Sequence, residues 1–199
     1  MSNQAWDERY STEEYIYGTE PNEFFKQQLD LMKPGKLLLP GEGEGRNAVY
    51  AASNGWLVDA VDFSNVAKEK ALKLAESKSV KINYFVSDLL EFHYPVNYYD
   101  LAGLFFVHLP KDAGRIVHSK IIASLKSGGK IIFEAFNKMQ INNNSGGPKD
   151  INLLYDEKDI LESFRYLEIL MIESLSTELY EGNFHRGKAD VIRFVGRKK

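Results

Sequence analysis

The most constraining feature of this sequence is the alternation of short apolar runs with patterns of helical spacing. The runs are too short for helices and apolar almost throughout, which is typical of strands buried on both faces of a parallel sheet. Separation of such strands by helices of 10 to 15 residues predicts βαβ units. The predicted strands are Lys36–Leu39, Leu57–Val61, Ile82–Val86, Leu101–Val107, Lys130–Phe136, Tyr166–Ser174 and Ala189–Gly196.

These patterns predict the fold class. Only a loop separates the last two strands, so we expect them to form an antiparallel hairpin at a sheet edge. The prediction is an α/β protein with a mainly parallel, seven-stranded sheet and an antiparallel edge strand. Ser64 is expected to cap the helix after the second strand, and Gly128-Gly129 to close the helix that Pro110 opens. The stretch 138–150 has no periodicity and predicts a mobile loop.

Length and composition exclude several functions. A chain of 199 residues corresponds to about one domain, and its net charge of −3 offers no broad positive field for nucleic acid. The absence of cysteine excludes disulfides, a thiolate nucleophile and cysteine-ligated metals. No signal sequence or run of 18 apolar residues is present, so we expect a cytoplasmic protein that does not bind membranes. The four histidines show no metal-ligand spacing, so no metal is predicted.

A Gly-rich turn, residues 41–45, joins the first strand to the first helix. Its spacing is G-x-G-x-G rather than the G-x-G-x-x-G of dinucleotide-binding proteins, and it contains Glu42 and Glu44. Glycines are needed where a ligand approaches the backbone closely. The two glutamates would repel a pyrophosphate but could hold an ammonium or sulfonium group. The alternative is a tight turn with solvated carboxylates.

Acidic residues follow the next two strands. Asp62 lies 21 residues after Gly41, where an acid would bind ribose hydroxyls, and Asp88 could accept the exocyclic amine of adenine. Phe63 could lie against the adenine, and the backbone of Leu89 could donate to a ring nitrogen. Each has an ordinary alternative: a loop acid for Asp62, a core aromatic for Phe63 and a capping acid for Asp88.

Together these segments resemble the class I S-adenosylmethionine-dependent methyltransferases over nearly the whole chain. The N-terminal segments Trp6–Tyr10 and Tyr17–Pro21, with the C-terminal Glu181–Arg193, look most like the tellurite-resistance and thiopurine methyltransferase-like group. The resemblance implies a Rossmann-like three-layer sandwich that uses S-adenosylmethionine on a small molecule. The sequence leaves the oligomeric state open between a monomer and a homodimer. The motifs that carry the class resemblance are Gly41-Glu-Gly-Glu-Gly45, Ala60-Val-Asp62-Phe-Ser, Ser87-Asp88-Leu, Tyr99-Asp100, Phe106-Val-His108-Leu-Pro110 and Leu125-Lys-Ser-Gly-Gly129.

The resemblance also implies site residues. Most of the class has an acid two residues before the first glycine, whereas this chain has Leu39. We therefore expect Glu42 or Glu44 to contact the ammonium group, so that alanine at that position weakens cofactor binding more than tenfold. The 1–30 segment is expected to close over the cofactor, with 138–150 on the same side. The predicted cofactor-binding residues are Tyr17, Gly41, Glu42, Gly43, Asp62, Phe63, Asp88, Leu89, Leu104 and Phe105.

Two histidines are candidate catalytic residues. His108 follows the fourth strand, and His185 is predicted to lie in the loop between the last two strands. Either could be a base for a hydroxyl or ammonium acceptor, whereas a thiol or a selenium or tellurium anion needs little help. A structural role for His108 remains open. Glu134 could face the substrate or be buried with a partner, and His93 and His118 are expected to be solvent-exposed.

Two other functions remain possible. A protein that binds S-adenosylmethionine or S-adenosylhomocysteine without transferring a methyl group would need no base, and the sequence contains no unmistakable one. A nicotinamide-dependent oxidoreductase would share the fold class, but the glycine spacing and the acidic turn disfavour it.

Overall fold

The structure is a computed structural model that describes residues 3–199, without the side chain of Asn3. Residues 1 and 2 of the predicted lid lie outside the described part of the chain. The strands are β1 Lys36–Pro40, β2 Leu57–Asp62, β3 Asn83–Val86, β4 Tyr99–Phe105, β5 Leu125–Phe136, β6 Leu167–Glu181 and β7 His185–Lys198. The helices are α1 Asn3–Tyr10, α2 Glu23–Leu29, α3 Arg46–Ser53, α4 Asn65–Ser77, α5 Lys111–Ser124 and α6 Glu157–Ser163.

The strands follow the order β3-β2-β1-β4-β5-β7-β6 in a seven-stranded sheet. Strand β2 is parallel to both β1 and β3, and β4 is parallel to β5. Strand β7 is antiparallel to β5. The predicted α/β class, with a mainly parallel sheet and an antiparallel strand near one edge, is confirmed.

The described chain forms two compact units. The first contains residues up to Phe92 together with Glu181–Phe184, and the second contains His93–Tyr180 and His185–Lys199. In the first unit, α3 packs against β2 and α4, and both helices bury alanine side chains, so backbones approach closely. At Gly45 this approach is extreme, because a β-carbon there would lie 2.6 Å from the β-carbon of Ala71. Helix α4 therefore packs directly under the end of the Gly-rich turn.

The second unit is built around an aromatic core. The rings of Phe133, Phe164 and Phe194 are fully or almost fully buried, and Phe164 stacks on Phe194 with 4.8 Å between ring centroids. Glu134, on β5, is buried and forms an ion pair with Arg193 of β7. The sequence allows Glu134 either to face the substrate or to be buried with a partner, and the structure shows it buried with a partner.

Several sequence-based boundaries differ from the structure. Helix α5 ends at Ser124 rather than at Gly128-Gly129, because β5 begins at Leu125 and pairs with β4 through a register shift. His185 is the first residue of β7 rather than a loop residue, because the hairpin strands are longer than their apolar cores. The prediction that His118 is exposed was wrong: it is 1% exposed and lies 4.9 Å from the ring of Phe164. None of the helices in residues 3–199 is long and apolar enough to cross a membrane.

Candidate functional site

The Gly-rich turn has the backbone conformation that its sequence predicts. Gly41, Gly43 and Gly45 have φ of 68°, 62° and 88°, in the left-handed region that side chains rarely adopt. The amide of Gly41 donates to the carbonyl oxygen of Val61 at 2.7 Å, which fixes the turn against the end of β2. The turn therefore places backbone without β-carbons at the carboxyl ends of neighbouring parallel strands, where ligands bind in open α/β sheets.

Glu42 turns back onto the first turn of α3. Its Oε1 accepts a hydrogen bond from the amide of Ala48 at 2.7 Å, so the carboxylate satisfies amides at the helix N-terminus. Burial raises the pKa of Glu42 from 4.5 to about 7, against the lowering effects of the Ala48 hydrogen bond and the Arg46 charge. Glu42 is therefore a buried acid that ionises near neutral pH.

Asp62 lies at the end of β2 and connects two parts of the site. Its Oδ2 accepts from the amide of Gly43 at 3.0 Å, and its Oδ1 accepts from the amide of Ser64 at 3.1 Å. Burial raises the pKa of Asp62 from 3.8 to about 6, although these backbone hydrogen bonds oppose the shift. Ser64 itself caps α4 by accepting from the amide of Ala67 at 3.0 Å, which confirms the predicted cap.

Glu44 binds the N-terminal segment. Its Oε2 accepts from the amide of Ile16 at 2.8 Å, and its Oε1 lies 2.5 Å from Nζ of Lys70. The Lys70 ammonium group also donates to the carbonyl oxygens of Tyr10, Thr12 and Glu14, so its contact with Glu44 is an ion pair rather than a further hydrogen bond. In this conformation the Glu44 carboxylate is already occupied, whereas Glu42 has only backbone donors and the nearby charge of Arg46.

Tyr10 of the N-terminal segment and Tyr84 of β3 both lie over the Gly-rich turn. A β-carbon at Gly43 would be 2.8 Å from Oη of Tyr10, and Tyr84 donates its hydroxyl to the Gly43 carbonyl at 2.6 Å. Tyr10 is buried and Tyr17 is half-buried, and burial raises the pKa of both. Only Gly at position 43 leaves room for this covering ring.

The remaining predicted contacts of the first unit are at the ends of β2 and β3. Phe63 and Leu89 are half-buried, and Asp88 is exposed. Asp88 accepts from the amide of Leu90 at 2.7 Å, and its carbonyl accepts from the amides of residues 91 and 92, so it organises a turn. Glu42, Asp62 and Asp88 thus occupy one edge of the sheet in this unit, and their roles toward a ligand stay predictions.

The charge balance of this edge fits the cofactor. Within residues 3–199, Glu42 and Asp62 form no ion pair within 4 Å, while Lys70 is paired with Glu44 and Arg46 with Glu181. Two buried carboxylates without a paired cation favour a ligand that carries positive charge. The sulfonium and ammonium groups of S-adenosylmethionine supply that charge, and carboxylates also accept hydrogen bonds from ribose hydroxyls.

His108, in the second unit, has both ring nitrogens engaged. Its Nδ1 is 2.8 Å from the carbonyl oxygen of Leu153, which assigns the proton to that nitrogen, and Nε2 accepts from the amide of Phe136 at 3.4 Å. Burial lowers the pKa of His108 from 6.5 to about 4. His108 is therefore neutral near pH 7 and joins β5 to the segment around Leu153.

His185 lies among aromatic rings in the same unit. Its ring centroid is 4.4 Å from that of Phe106 and 5.2 Å from that of Phe136, both in edge-on geometry. Phe106 has a φ of 57°, which is unusual for an aromatic residue, and such strain is concentrated at functional sites. Of the predicted cofactor contacts on β4, Leu104 is fully buried and Phe105 is half-buried.

The 138–150 segment is held by a buried amide. Gln140 donates to Oγ of Ser145 and to the carbonyl of Gly146, both at 3.0 Å, and its Oε1 accepts from the amide of Asp190 at 2.8 Å. A β-carbon at Gly147 would lie 2.6 Å from the ring of Phe136. These contacts dock the segment on the second unit, and its mobility stays a prediction.

Comparison with known proteins identifies the domain. Residues 38–129 match the family described as "Methyltransferase domain". Residues 38–129 therefore carry a methyltransferase domain, and S-adenosylmethionine is its cofactor. The match includes the Gly-rich turn, Asp62 at the end of β2 and Asp88 after β3, and the predicted class and cofactor are confirmed.

Solved structures share the fold of this methyltransferase. TehB from Haemophilus influenzae is 18% identical, with a TM-score of 0.74 over 99% of this chain and 67% of that chain. The N-methyltransferase NodS from Bradyrhizobium japonicum WM9, in complex with S-adenosyl-l-homocysteine, is 14% identical, with a TM-score of 0.71 over 99% and 98% of the chains. A protein studied for conversion of a disulfide bond into a thioacetal group in echinomycin biosynthesis is 15% identical, with a TM-score of 0.78 over 99% and 91%. No curated protein matches this chain.

Sequence reasoning missed Lys70 and Arg46. Lys70 lies on the helix α4, where a lysine is ordinarily a solvated residue, yet it is buried. Arg46 donates to the carbonyl oxygen of Tyr17 at 3.2 Å and to Glu181 at 2.9 Å. Its position directly after the Gly-rich turn was the one available signal.

Proposed function

We propose that this methyltransferase acts on a small molecule whose acceptor atom is a thiol sulfur or the chalcogen of an oxyanion. The observation that carries this proposal is the state of His108. Both of its ring nitrogens are hydrogen-bonded, and its pKa is lowered to about 4 by burial. A histidine in that state supports an acceptor that reaches the site already as an anion, a thiolate or a chalcogen oxyanion, so that no base has to take a proton during methyl transfer.

The residues of the chain act by binding and alignment. When bound, S-adenosylmethionine supplies a methyl carbon activated by a positive sulfur. Glu42 would hold the ammonium group, Asp62 the ribose and Asp88 the adenine, while the Gly-rich turn allows close approach to the backbone. Tyr10 and Tyr17 would exclude water and offer ring faces to the positive charge, a contribution of about 0.5 to 2 kcal/mol.

His185 is the proposed acceptor-side residue. It lies against Phe106 and Phe136, and this apolar environment supports contact with a polarisable acceptor. The sequence resemblance to the tellurite-resistance and thiopurine methyltransferase-like group supports the same acceptor class. The similarity to a protein named as an N-methyltransferase makes an amine the main competing acceptor.

The test is release of S-adenosylhomocysteine with a panel of thiol, selenite, tellurite, amine and hydroxyl acceptors. We expect turnover with members of the first three groups, and at least a tenfold loss of kcat/KM in His185→Asn. His93→Asn is the matched control, because His93 is exposed in the same unit. Turnover with amines or hydroxyls alone would contradict the acceptor class. Tight cofactor binding without turnover would favour a binding protein, and tight NAD binding without S-adenosylhomocysteine binding would favour an oxidoreductase.

A further inference from the structure

Arg9 on α1 is a half-buried guanidinium without a carboxylate partner. Within residues 3–199, no acidic side chain lies within 4 Å of it. Its one side-chain hydrogen bond is long, 3.4 Å from Nη1 to Oη of Tyr17. A guanidinium has five N–H donors, so most of the hydrogen-bonding capacity of Arg9 is unused by the described protein.

Two aromatic rings fix the orientation of Arg9. Its guanidinium carbon is 4.6 Å from the ring centroid of Trp6 and 5.6 Å from that of Phe184. Contact with ring faces uses the plane of a guanidinium and leaves its N–H edges available for two-point contact with a carboxylate or an oxyanion. Trp6 in turn stacks on Tyr10, with 5.4 Å between the centroids.

The position of Phe184 is itself fixed by the same unit. The hairpin tip, residues 181–184, is anchored by Glu181, which pairs with Arg46 and accepts from Asn22, both at 2.9 Å. At Gly182 a β-carbon would lie 2.3 Å from the carbonyl oxygen of Ile16, so the tip is in direct backbone contact with the N-terminal segment. The aromatic support of Arg9 is therefore built by distant parts of the sequence.

Arg9 also lies close to the Gly-rich turn. It precedes Tyr10, whose hydroxyl lies over Gly43. Burial and the Asp62 charge raise the pKa of Tyr10, and the Arg9 charge lowers it. A preoriented, uncompensated cation next to a ligand-binding turn supports recognition of a negative group on the ligand.

We propose that Arg9 is the receptor for an anionic group, a carboxylate or an oxyanion, of a ligand bound at the Gly-rich turn. This inference rests on the proposed function, which provides two sources of such a group. One is the carboxylate at the methionine end of the cofactor, and the other is an anionic acceptor. The same two-point contact with the N–H edge serves both.

The experiment compares Arg9→Gln and Arg9→Lys with the wild-type protein. Binding of S-adenosylhomocysteine is compared with binding of 5′-methylthioadenosine, which lacks the carboxylate and the ammonium group. Acceptor KM is compared for mercaptoacetate and mercaptoethanol, which differ in the carboxylate. Arg165→Gln is the matched control, because Arg165 also stacks on an aromatic ring, 4.8 Å from that of Tyr166, but in the other unit.

The two possible sources of the anionic group, the cofactor and the acceptor, lead to different expected results for Arg9→Gln. If the cofactor carboxylate is bound, affinity for S-adenosylhomocysteine falls at least tenfold while that for 5′-methylthioadenosine changes less than twofold. If the acceptor anion is bound, KM for mercaptoacetate rises at least tenfold, with mercaptoethanol and S-adenosylhomocysteine unchanged. Arg9→Lys is expected to weaken binding of the same ligand less than Arg9→Gln does, because lysine keeps the charge but not the planar fork.

Two results would overturn the inference. One is that folded Arg9→Gln and Arg9→Lys change the affinity or KM by less than twofold for every ligand. The other is equal weakening of all ligands together with a lower melting temperature, which would identify Arg9 as a packing residue only. Failure of the wild-type protein to bind S-adenosylhomocysteine at all would instead refute the proposed function, and this inference with it.

Discussion

Replacement of Glu42 by glutamine is expected to change the pH dependence of stability. Burial raises the pKa of Glu42 from 4.5 to about 7 in the folded protein, while the unfolded chain returns it to its ordinary value. Because the folded state binds the proton more tightly, this group stabilises the protein fully below about pH 4.5, and the contribution is lost as pH rises toward about 7. One pKa unit corresponds to about 1.4 kcal/mol, so the whole loss is about 3 kcal/mol.

The glutamine variant isolates this contribution. Its side-chain oxygen can still accept from the amide of Ala48, but it has no charge to desolvate. The free energy of unfolding of Glu42→Gln relative to wild type should therefore rise by about 2.5 kcal/mol between pH 5 and pH 8. Urea unfolding at a series of pH values measures this difference. Asp62 is present in both proteins, so its own titration largely cancels.

Glu76→Gln is the control for Glu42→Gln, because Glu76 is exposed on helix α4. The same pH series on Glu76→Gln measures the effect of removing one exposed carboxylate, and the prediction concerns the excess of Glu42→Gln over it. No excess would refute the reasoning, since it would mean that Glu42 is ionised at little cost. If Glu42 also holds the ammonium group, S-adenosylhomocysteine affinity should rise with pH in wild type, because a cation favours the ionised carboxylate, and should rise less in Glu42→Gln.

Two further substitutions test the contacts around the Gly-rich turn. Lys70→Met leaves the buried Glu44 carboxylate unpaired and should destabilise the protein by about 3 kcal/mol, with faster hydrogen exchange in the N-terminal segment, whereas Lys73→Met on the exposed face of the same helix should change stability little. An effect of Lys70→Met below about 1 kcal/mol would contradict the importance of the ion pair. Gly182→Ala should lower the free energy of unfolding, measured with urea, by more than Gly128→Ala does. Both glycines have positive φ, but a β-carbon at Gly182 would lie 2.3 Å from a backbone oxygen, whereas one at Gly128 would meet nothing within 4 Å. Equal losses would show that backbone strain alone, without the close contact, determines the cost.

The fold and the cofactor edge could be predicted because their signals are local. Strands buried on both faces are short apolar runs, and the left-handed turn at Gly41, Gly43 and Gly45 can be predicted from its glycines. The position of an acid directly after a strand places Asp62 at the carboxyl edge without knowledge of its neighbours. These features depend on residues within about ten positions of one another.

What the sequence could not indicate depends on distant contacts. Glu44 looks like a free carboxylate, but Lys70 and the amide of Ile16 occupy it. The 138–150 segment lacks periodicity, yet Gln140 docks it through the amide of Asp190, 50 positions away. The length of the final hairpin depends on backbone pairing rather than on apolar pattern, which is why the sequence wrongly predicts a loop position for His185.

Transfer of an isotope-labelled methyl group from S-adenosylmethionine tests the central claim most directly. With a thiol or chalcogen oxyanion acceptor, we predict that mass spectrometry detects the label in the acceptor, with one S-adenosylhomocysteine formed for each methyl group transferred. The rate should fall strongly in Asp62→Ala if Asp62 binds the ribose. Saturable binding of S-adenosylmethionine without label in any acceptor of the panel would contradict the account.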